Sequence, residues 1–346
     1  MTRRGRLGLL GVSLVVALMV TVQAFAAINP TLDATTQASG TTITYAQGTG
    51  DDPPAAITFY VAKDYAALLS QSEGDKIGTA AGTAIAGDLG GATLKLSGDI
   101  TVALGTTTIS FAGATVPISA LSVQCTGTPT HSAFWILNLS ASGQTLQVPA
   151  FVDDIPLTNP LSSTANNRIQ ICLPPPDVPA GTPGRASLGA RVVSATLTLT
   201  EVFSAAPGWY LWHVIVTPYN PGRGTPNVAG TISAQSYDRT PQALTATAKA
   251  GADGKATVRG RVTAGFRGVA GATVTIKNGD QEVGTAKTTP GGRFKATIDA
   301  AAGDELVATA VAPVGKAKCQ QGWFPVNCVS AQFPSFTVTS DPFAVS

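Results

Sequence analysis

The sequence predicts an all-β protein: a larger antiparallel β-sandwich-like domain followed by a small β-sandwich. Three observations carry that prediction. Short runs rich in β-branched residues recur along the chain, separated by Gly, Pro, Asn and Ser. Beyond the N-terminal leader no segment sustains an apolar stripe at helical spacing, and the best, Asp64 to Ser70, is too short to matter. Charged residues make up only 12% of the 346, against 37 Gly and 23 Pro. The usual charged share is about 25%. So low a value excludes a coiled coil, a disordered tail and an electrostatic nucleic-acid binder. The length suits two domains of roughly 100–200 residues each.

The first segment is a leader rather than part of the fold. Thr2-Arg3-Arg4-Gly5-Arg6 precedes an apolar run from Leu7 to Val22, and Ala24-Phe25-Ala26 supplies an A-x-A cleavage site. Cleavage is expected after Ala26, because one residue later Phe25 would occupy a position that requires a small side chain. An uncleaved anchor is the rival reading; the cleavage site argues against it. The leader removes three arginines and no acid, so 22 less 3 leaves 19 cations against 20 anions, a net charge of −1. The precursor's basicity belongs to the leader. No second apolar stretch is long enough to span a bilayer, so the mature chain is expected outside the cytoplasm and free of the membrane, with the export route open.

Cys125, Cys172, Cys319 and Cys328 form an even set in an exported chain, which points to disulfides. Of three connectivities, the wide gap between the pairs favours Cys125–Cys172 and Cys319–Cys328. Zinc is disfavoured, since there is no C-x-x-C and no histidine at finger spacing.

In the first domain, residues 27–244, strands are expected at Thr41–Ala46, Ala55–Ala62, Ile77–Ala86, Ala92–Leu96 and Asp99–Leu104. Ala133–Leu139 and Gln144–Val152 read as a hairpin, with Gly143 supplying the positive φ of its turn. Arg168–Leu173, Arg191–Phe203 and Trp209–Tyr219 follow. The dense stretch from Pro174 to Gly184 reads as a long loop inside this domain, because too few residues separate it from Gln242 to build another sandwich. The boundary falls near Thr240–Gly254.

In residues 245–346 the pattern becomes regular. Ala256–Thr263 alternates, and Ala272–Ile276 and Glu282–Lys287 flank Asn278-Gly279-Asp280, a strong hairpin signal. Glycine turns at Pro290-Gly291-Gly292 and Gly303-Asp304 lead into Arg293–Ile298 and Glu305–Val311. The motifs Val258-Arg259-Gly260, Gly268-Val269-Ala270-Gly271-Ala272-Thr273-Val274 and Thr289-Pro290-Gly291-Gly292-Arg293-Phe294 resemble bacterial Ig-like and carboxypeptidase-regulatory-like modules. That resemblance covers about 55 residues and implies a transthyretin-like or Ig-like sandwich with a spacer, adhesive or accessory role. It implies no catalytic residues. Cys319 to Cys328, with Trp323 between them, departs from the plain module and reads as a stapled loop before a last strand near Ser335–Thr339. The first domain resembles, loosely, secreted proteins of high-GC Gram-positive bacteria.

Chemistry-bearing residues are few. Residues 27–244 carry 8 cations and 13 anions, residues 245–346 carry 11 and 7, and no cluster of four cations appears. Of the two histidines, His213 shares a strand face with Leu211 and Ile215, and His131 lies in a loop after Cys125. A Ser-His-Asp arrangement is spatial, so the sequence leaves it open, but no G-x-S-x-G elbow is present. The mature chain has Glu73, Glu201, Glu282 and Glu305 as its only glutamates. The paired acids Asp51-Asp52 and Asp153-Asp154 read as turn residues. Neither a calcium loop nor a nucleotide fingerprint occurs, so no metal or cofactor is expected. The feature with binding character is aromatic: Trp209, Tyr210, Trp212 and Tyr219 crowd into one short stretch. An exposed aromatic row can stack on sugar rings, although Tyr210, Trp212, Val214 and Val216 also read as a core stripe. The expectation is thus a secreted, non-catalytic structural, adhesive or accessory protein. A binder of an extracellular glycan or cell-wall polymer is the second reading, and a hydrolase with unrecognised carboxylates the third.

Overall fold

The computed structural model describes residues 28–37, 40–141, 143–320 and 327–346. The leader and Trp323 lie outside the described residues. The chain is all-β, and its larger body is one continuous thirteen-stranded sheet rolled upon itself. Eleven of these strands make the ring: β1 (Thr31–Gln37), β2 (Gly40–Ala46), β3 (Pro54–Ala62), β4 (Lys76–Ala86), β5 (Ala92–Ala103), β6 (Ala133–Ala141), β7 (Gln144–Asp154), β8 (Ala165–Cys172), β9 (Ala190–Leu199), β10 (Gly208–Pro218) and β11 (Ile232–Thr240). Their order is β1-β2-β9-β4-β5-β6-β7-β8-β3-β10-β11, with each neighbouring pair antiparallel. The ends meet where β1 lies against β11, and there Ala34 N donates to Ser236 Oγ at 2.9 Å. Alternation explains the roll. β1, β2 and β8 bury every second residue, and Leu32, Ala34, Ile43, Tyr45, Ile169 and Ile171 among them join one interior cluster drawn from all eleven strands.

Two sequence-level breaks are resolved by glycine. Ala92–Leu96 and Asp99–Leu104 are one strand, β5, continuous through Gly98. A Cβ at Gly98 would stand 1.7 Å from Asn138 O, so the strand bends hard against β6 without ending. Gly143, at φ 80, makes the β6–β7 turn as expected. The chain also holds a helix that its pattern did not announce, α1 (Ile118–Thr126), closed by Gly127 at φ 80. Its stripe of Ile118, Leu121, Ser122 and Cys125 lasts only two turns. α1 and the hairpin of Thr108–Phe111 with Ala114–Pro117 cover the outer face of β6 and β7 through a small apolar cluster.

The smaller body follows as β12 (Gln242–Ala250), β13 (Lys255–Ala264), β14 (Thr273–Asn278), β15 (Gln281–Lys287), β16 (Arg293–Asp299) and β17 (Glu305–Ala312). Sheets β12-β13-β16 and β15-β14-β17, the latter extended by a strand at Phe336–Thr339, enclose a second core centred on Val258, Val274, Ile276 and Leu306. This is a β-sandwich whose first strand begins at Gln242, with the Asn278–Gln281 hairpin at its predicted place. Between β17 and the last strands the chain leaves the sandwich. Gly315–Lys316 and β18 (Asn327–Phe333) complete the large sheet, β18 running parallel to β11. Disulfides join Cys125 to Cys172 and Cys319 to Cys328, the pairing that spacing favours. Among the described residues no helix is long and apolar enough to cross a membrane.

Candidate functional site

The barrel is filled unevenly along its axis. Toward one end, Trp135, Trp212, Tyr65 and Phe203 close it, with Tyr65 edge-on to Trp212 at 5.0 Å between ring centroids. A polar chain completes this floor. Tyr65 OH donates to Asp238 Oδ2 at 2.5 Å, and Thr36 Oγ1 lies 2.8 Å from the same hydroxyl and 3.1 Å from Thr41 Oγ1. Burial pushes the Asp238 carboxyl up to about 6 and raises the Tyr65 phenol far above its ordinary value.

Toward the other end the barrel is hollow. A cavity of about 500 Å³ is lined from β3 to β9 by apolar side chains such as Phe59, Leu96, Leu137, Leu139, Val148 and Leu197. Its origin is legible residue by residue. The inward face of β4 carries Ala80, Gly82 and Ala84, and facing β9 carries Ala190 and Ala195. Large side chains on the other strands do not reach across the space these small ones leave. The volume falls in the range of small-molecule sites, about 300–1,000 Å³, and its apolar lining is typical of them.

The mouth is built from loops. The chain from Leu173 to Gly189 joins β8 to β9 and contributes Pro174, Pro176, Ala186 and Leu188 to the lining. Arg185 holds this loop, with its Nη1 and Nη2 each 2.7 Å from a carboxylate oxygen of Asp88 and its Nε 2.7 Å from Val178 O. The pairing lowers the Asp88 carboxyl and raises the Arg185 guanidinium. Leu188 stands at the rim with φ 56, a strained left-handed conformation for leucine, and is 45% exposed beside Leu89 at 50%. Among the described residues, Arg191 is the one charged residue that lines the cavity.

The aromatic stretch singled out from sequence does not form a platform. Trp212 is inside the barrel and Tyr210 packs edge-on against Tyr65 at 4.8 Å. Tyr219 is buried and donates to Leu173 O at 2.5 Å. Trp209, 41% exposed, is held between Arg239 and Arg267 and lies 6.1 Å from Phe333, at the junction of barrel and sandwich. The core-stripe reading of Tyr210, Trp212, Val214 and Val216 is the one the burial follows.

The Ser-His-Asp arrangement left open by the sequence is present as geometry. Ser122 Oγ is 2.7 Å from His131 Nε2, and His131 Nδ1 is 2.8 Å from Asp153 Oδ1. Arg168 Nε and Nη2 bind Asp153 Oδ2 at 3.0 and 2.8 Å. Distances alone match a nucleophile–base–orienter set. Ser122 and the imidazole have no exposed surface, however, and the ring packs against Phe134 and Phe151. Ser122 Oγ donates to Thr128 O, and Thr126 Oγ1 shares Nε2 at 3.1 Å. The set ties α1 and its following loop to β7 and β8, beside the Cys125–Cys172 bond, with no path for a substrate carbonyl to Ser122. Asp154 accepts from Asn167 Nδ2 and from Ser132 Oγ, and Asp51 accepts from the backbone N–H of Asn29 and Gly48. Glu73 accepts from Thr107 Oγ1, and Glu201 sits at φ 58 in a turn. These acids serve local structure: Asp51 sits in a turn as its sequence suggested, whereas Asp153 and Asp154, also read as turn residues, lie in strand β7 opposite Arg168 and Asn167, whose side chains they bind.

No protein-family description matches this chain, and no curated protein matches it. Among solved structures it is similar to the D0-D1 domain of intimin, at 13% identity over 90% of this chain and 97% of that one, with a TM-score of 0.18. It is also similar to the T6 backbone pilin of serotype M6 Streptococcus pyogenes, at 8% identity over 90% and 52%, again with a TM-score of 0.18. Superposition that poor informs neither the barrel nor its cavity.

Proposed function

We propose that the chain is an exported, non-catalytic binding protein whose barrel takes up an apolar small molecule, with the sandwich as its accessory or adhesive module. The observation that carries this reading is the cavity of about 500 Å³, walled by small residues on two strands and apolar side chains on five more. Dry space of that size forfeits dispersion contacts that an apolar occupant restores. Export rests on the leader and accords with two disulfides. The Ig-like and carboxypeptidase-regulatory-like resemblance supports the accessory role of the sandwich.

Titration with N-phenyl-1-naphthylamine, an uncharged fluorophore that brightens in apolar surroundings, tests the reading. Saturable, one-site enhancement is expected. Ala84→Leu and Ala195→Leu should abolish it while leaving the melting temperature unchanged or higher, because they fill space. In a tightly packed core the same changes would cost about 1–3 kcal/mol. Absence of saturable binding, or filling variants that melt early and still bind, would sink the proposal.

A further inference from the structure

We infer that the occupant is a single-chain amphiphile with a carboxylate head, its tail in the barrel and its head at Arg191. This rests on the reading of the barrel as a binding site and adds the class of ligand.

The argument is one of placement and charge. Among the described residues the cavity walls are apolar except for Thr145, Ser187 and Ser194, and Arg191 is their single charge. Arg191 stands near the start of β9, the strand end that meets the Leu173–Gly189 loop at the mouth. Its guanidinium is oriented by neutral partners: Nη1 donates to Asp51 O at 3.4 Å and Nη2 to Thr49 O. Among the described residues it forms no ion pair. The Asp51 carboxylate nearby accepts instead from the backbone N–H of Asn29 and Gly48, both at 2.9 Å. Of the other charges at the rim, Arg185 and Asp88 neutralise each other, and Asp177 on the mouth loop accepts from the backbone N–H of Gly222 at 2.6 Å. A guanidinium carries five donors and stays protonated, and the carbonyls of Asp51 and Thr49 use one N–H of each Nη, so Arg191 brings a positive charge and further N–H groups to the residues that line an apolar space. A carboxylate takes paired N–H donors in the bidentate manner that suits it, and one alkyl chain fits a cavity of about 500 Å³ better than a two-chain lipid. Each methylene that enters leaves water for an apolar wall, which is why the tail supplies affinity and the head supplies direction.

Displacement of N-phenyl-1-naphthylamine from the purified full chain by dodecanoate and by dodecanol separates the parts. Dodecanoate is expected to displace the probe at about tenfold lower concentration than dodecanol. Arg191→Gln should remove that advantage, weakening dodecanoate about tenfold while leaving displacement by dodecanol unchanged; Arg191→Lys should recover part of it. Equal competition by acid and alcohol, or equal weakening of both by Arg191→Gln, overturns the carboxylate assignment while probe binding upholds the cavity. Failure of the probe to bind at all overturns both.

Discussion

His213 and Asp238 sit on adjacent strands, β10 and β11, and burial moves their protonation in opposite stability directions. The imidazole is pushed down to about 3. An unfolded histidine titrates near 6.5, so as pH falls below 6.5 the unfolded chain gains a proton that the folded one refuses, and stability is lost down to about 3. The Asp238 carboxyl is pushed up to about 6. Here the folded chain takes up the proton first, so stability rises as pH falls from about 6 to the unfolded value near 3.9. Over pH 6 to 4 the two slopes, each about 1.4 kcal/mol per pH unit at full effect, cancel. Single variants should expose them. Relative to wild type, His213→Gln should gain about 2 kcal/mol between pH 6 and 4.5, and Asp238→Asn should lose about as much. Denaturant unfolding at both pH values measures this, and parallel pH slopes for the two variants would refute it.

The Leu173–Gly189 loop is the element on which access to the cavity turns. It is proline-rich, which keeps it stiff, and the Arg185–Asp88 fork is its main tie to the turn after β4. The Asp88 end of that pair is open to solvent while the Arg185 side chain is 14% exposed, so the pair adds modestly to global stability and holds the rim over the mouth. Arg185→Ala is therefore expected to lower the melting temperature only slightly and to raise the dissociation rate of the naphthylamine probe several-fold in stopped flow. An unchanged rate would mean that the loop is held by its prolines and by its bonds to Tyr219 and Gly222 instead. At this scale the sequence was readable where turn chemistry dictates structure: the Gly143 and Asn278-Gly279 hairpins form where predicted, with Gly279 at φ 59. It was unreadable where the cue is negative. β11 turns Ala234, Ser236 and Asp238 to one face, which does not look like a buried strand because its polar groups find partners only after the barrel closes. Ala80, Gly82 and Ala84 read as an ordinary strand, and the space they leave exists only once six other strands surround them.

As a whole the molecule depends on a return of its C-terminal part to close its first. β1 and β11 share no backbone ladder, and the seam between them is covered by β18. Ser330 Oγ donates to Pro30 O at 3.0 Å, and Gln332 Nε2 donates to Leu32 O at 3.0 Å and to Asp33 Oδ1 at 2.7 Å. Just before β18, Gln320 exchanges two hydrogen bonds with Gln235 on the outer face of β11, and the Cys319–Cys328 bond closes this segment. Trp209 adds a contact between barrel and sandwich through Arg267. Sequence-level division at residue 245 separates two patterns, yet the fold weaves them, since Gly315–Lys316 and β18 belong to the barrel's sheet while β17 before them and the strand at Phe336–Thr339 after them belong to the sandwich. A chain ending at Ala250 therefore lacks the strand that pairs β11 and leaves two unpaired edges beside an apolar interior. Such a chain is expected to aggregate or to melt well below the full protein. Gln332→Ala in the full chain removes only the bonds to β1 and should cost about 1–3 kcal/mol. Size-exclusion chromatography and thermal melting decide the matter. A truncated chain that is monomeric and melts within a few degrees of the full one would show that the barrel closes without its bolt.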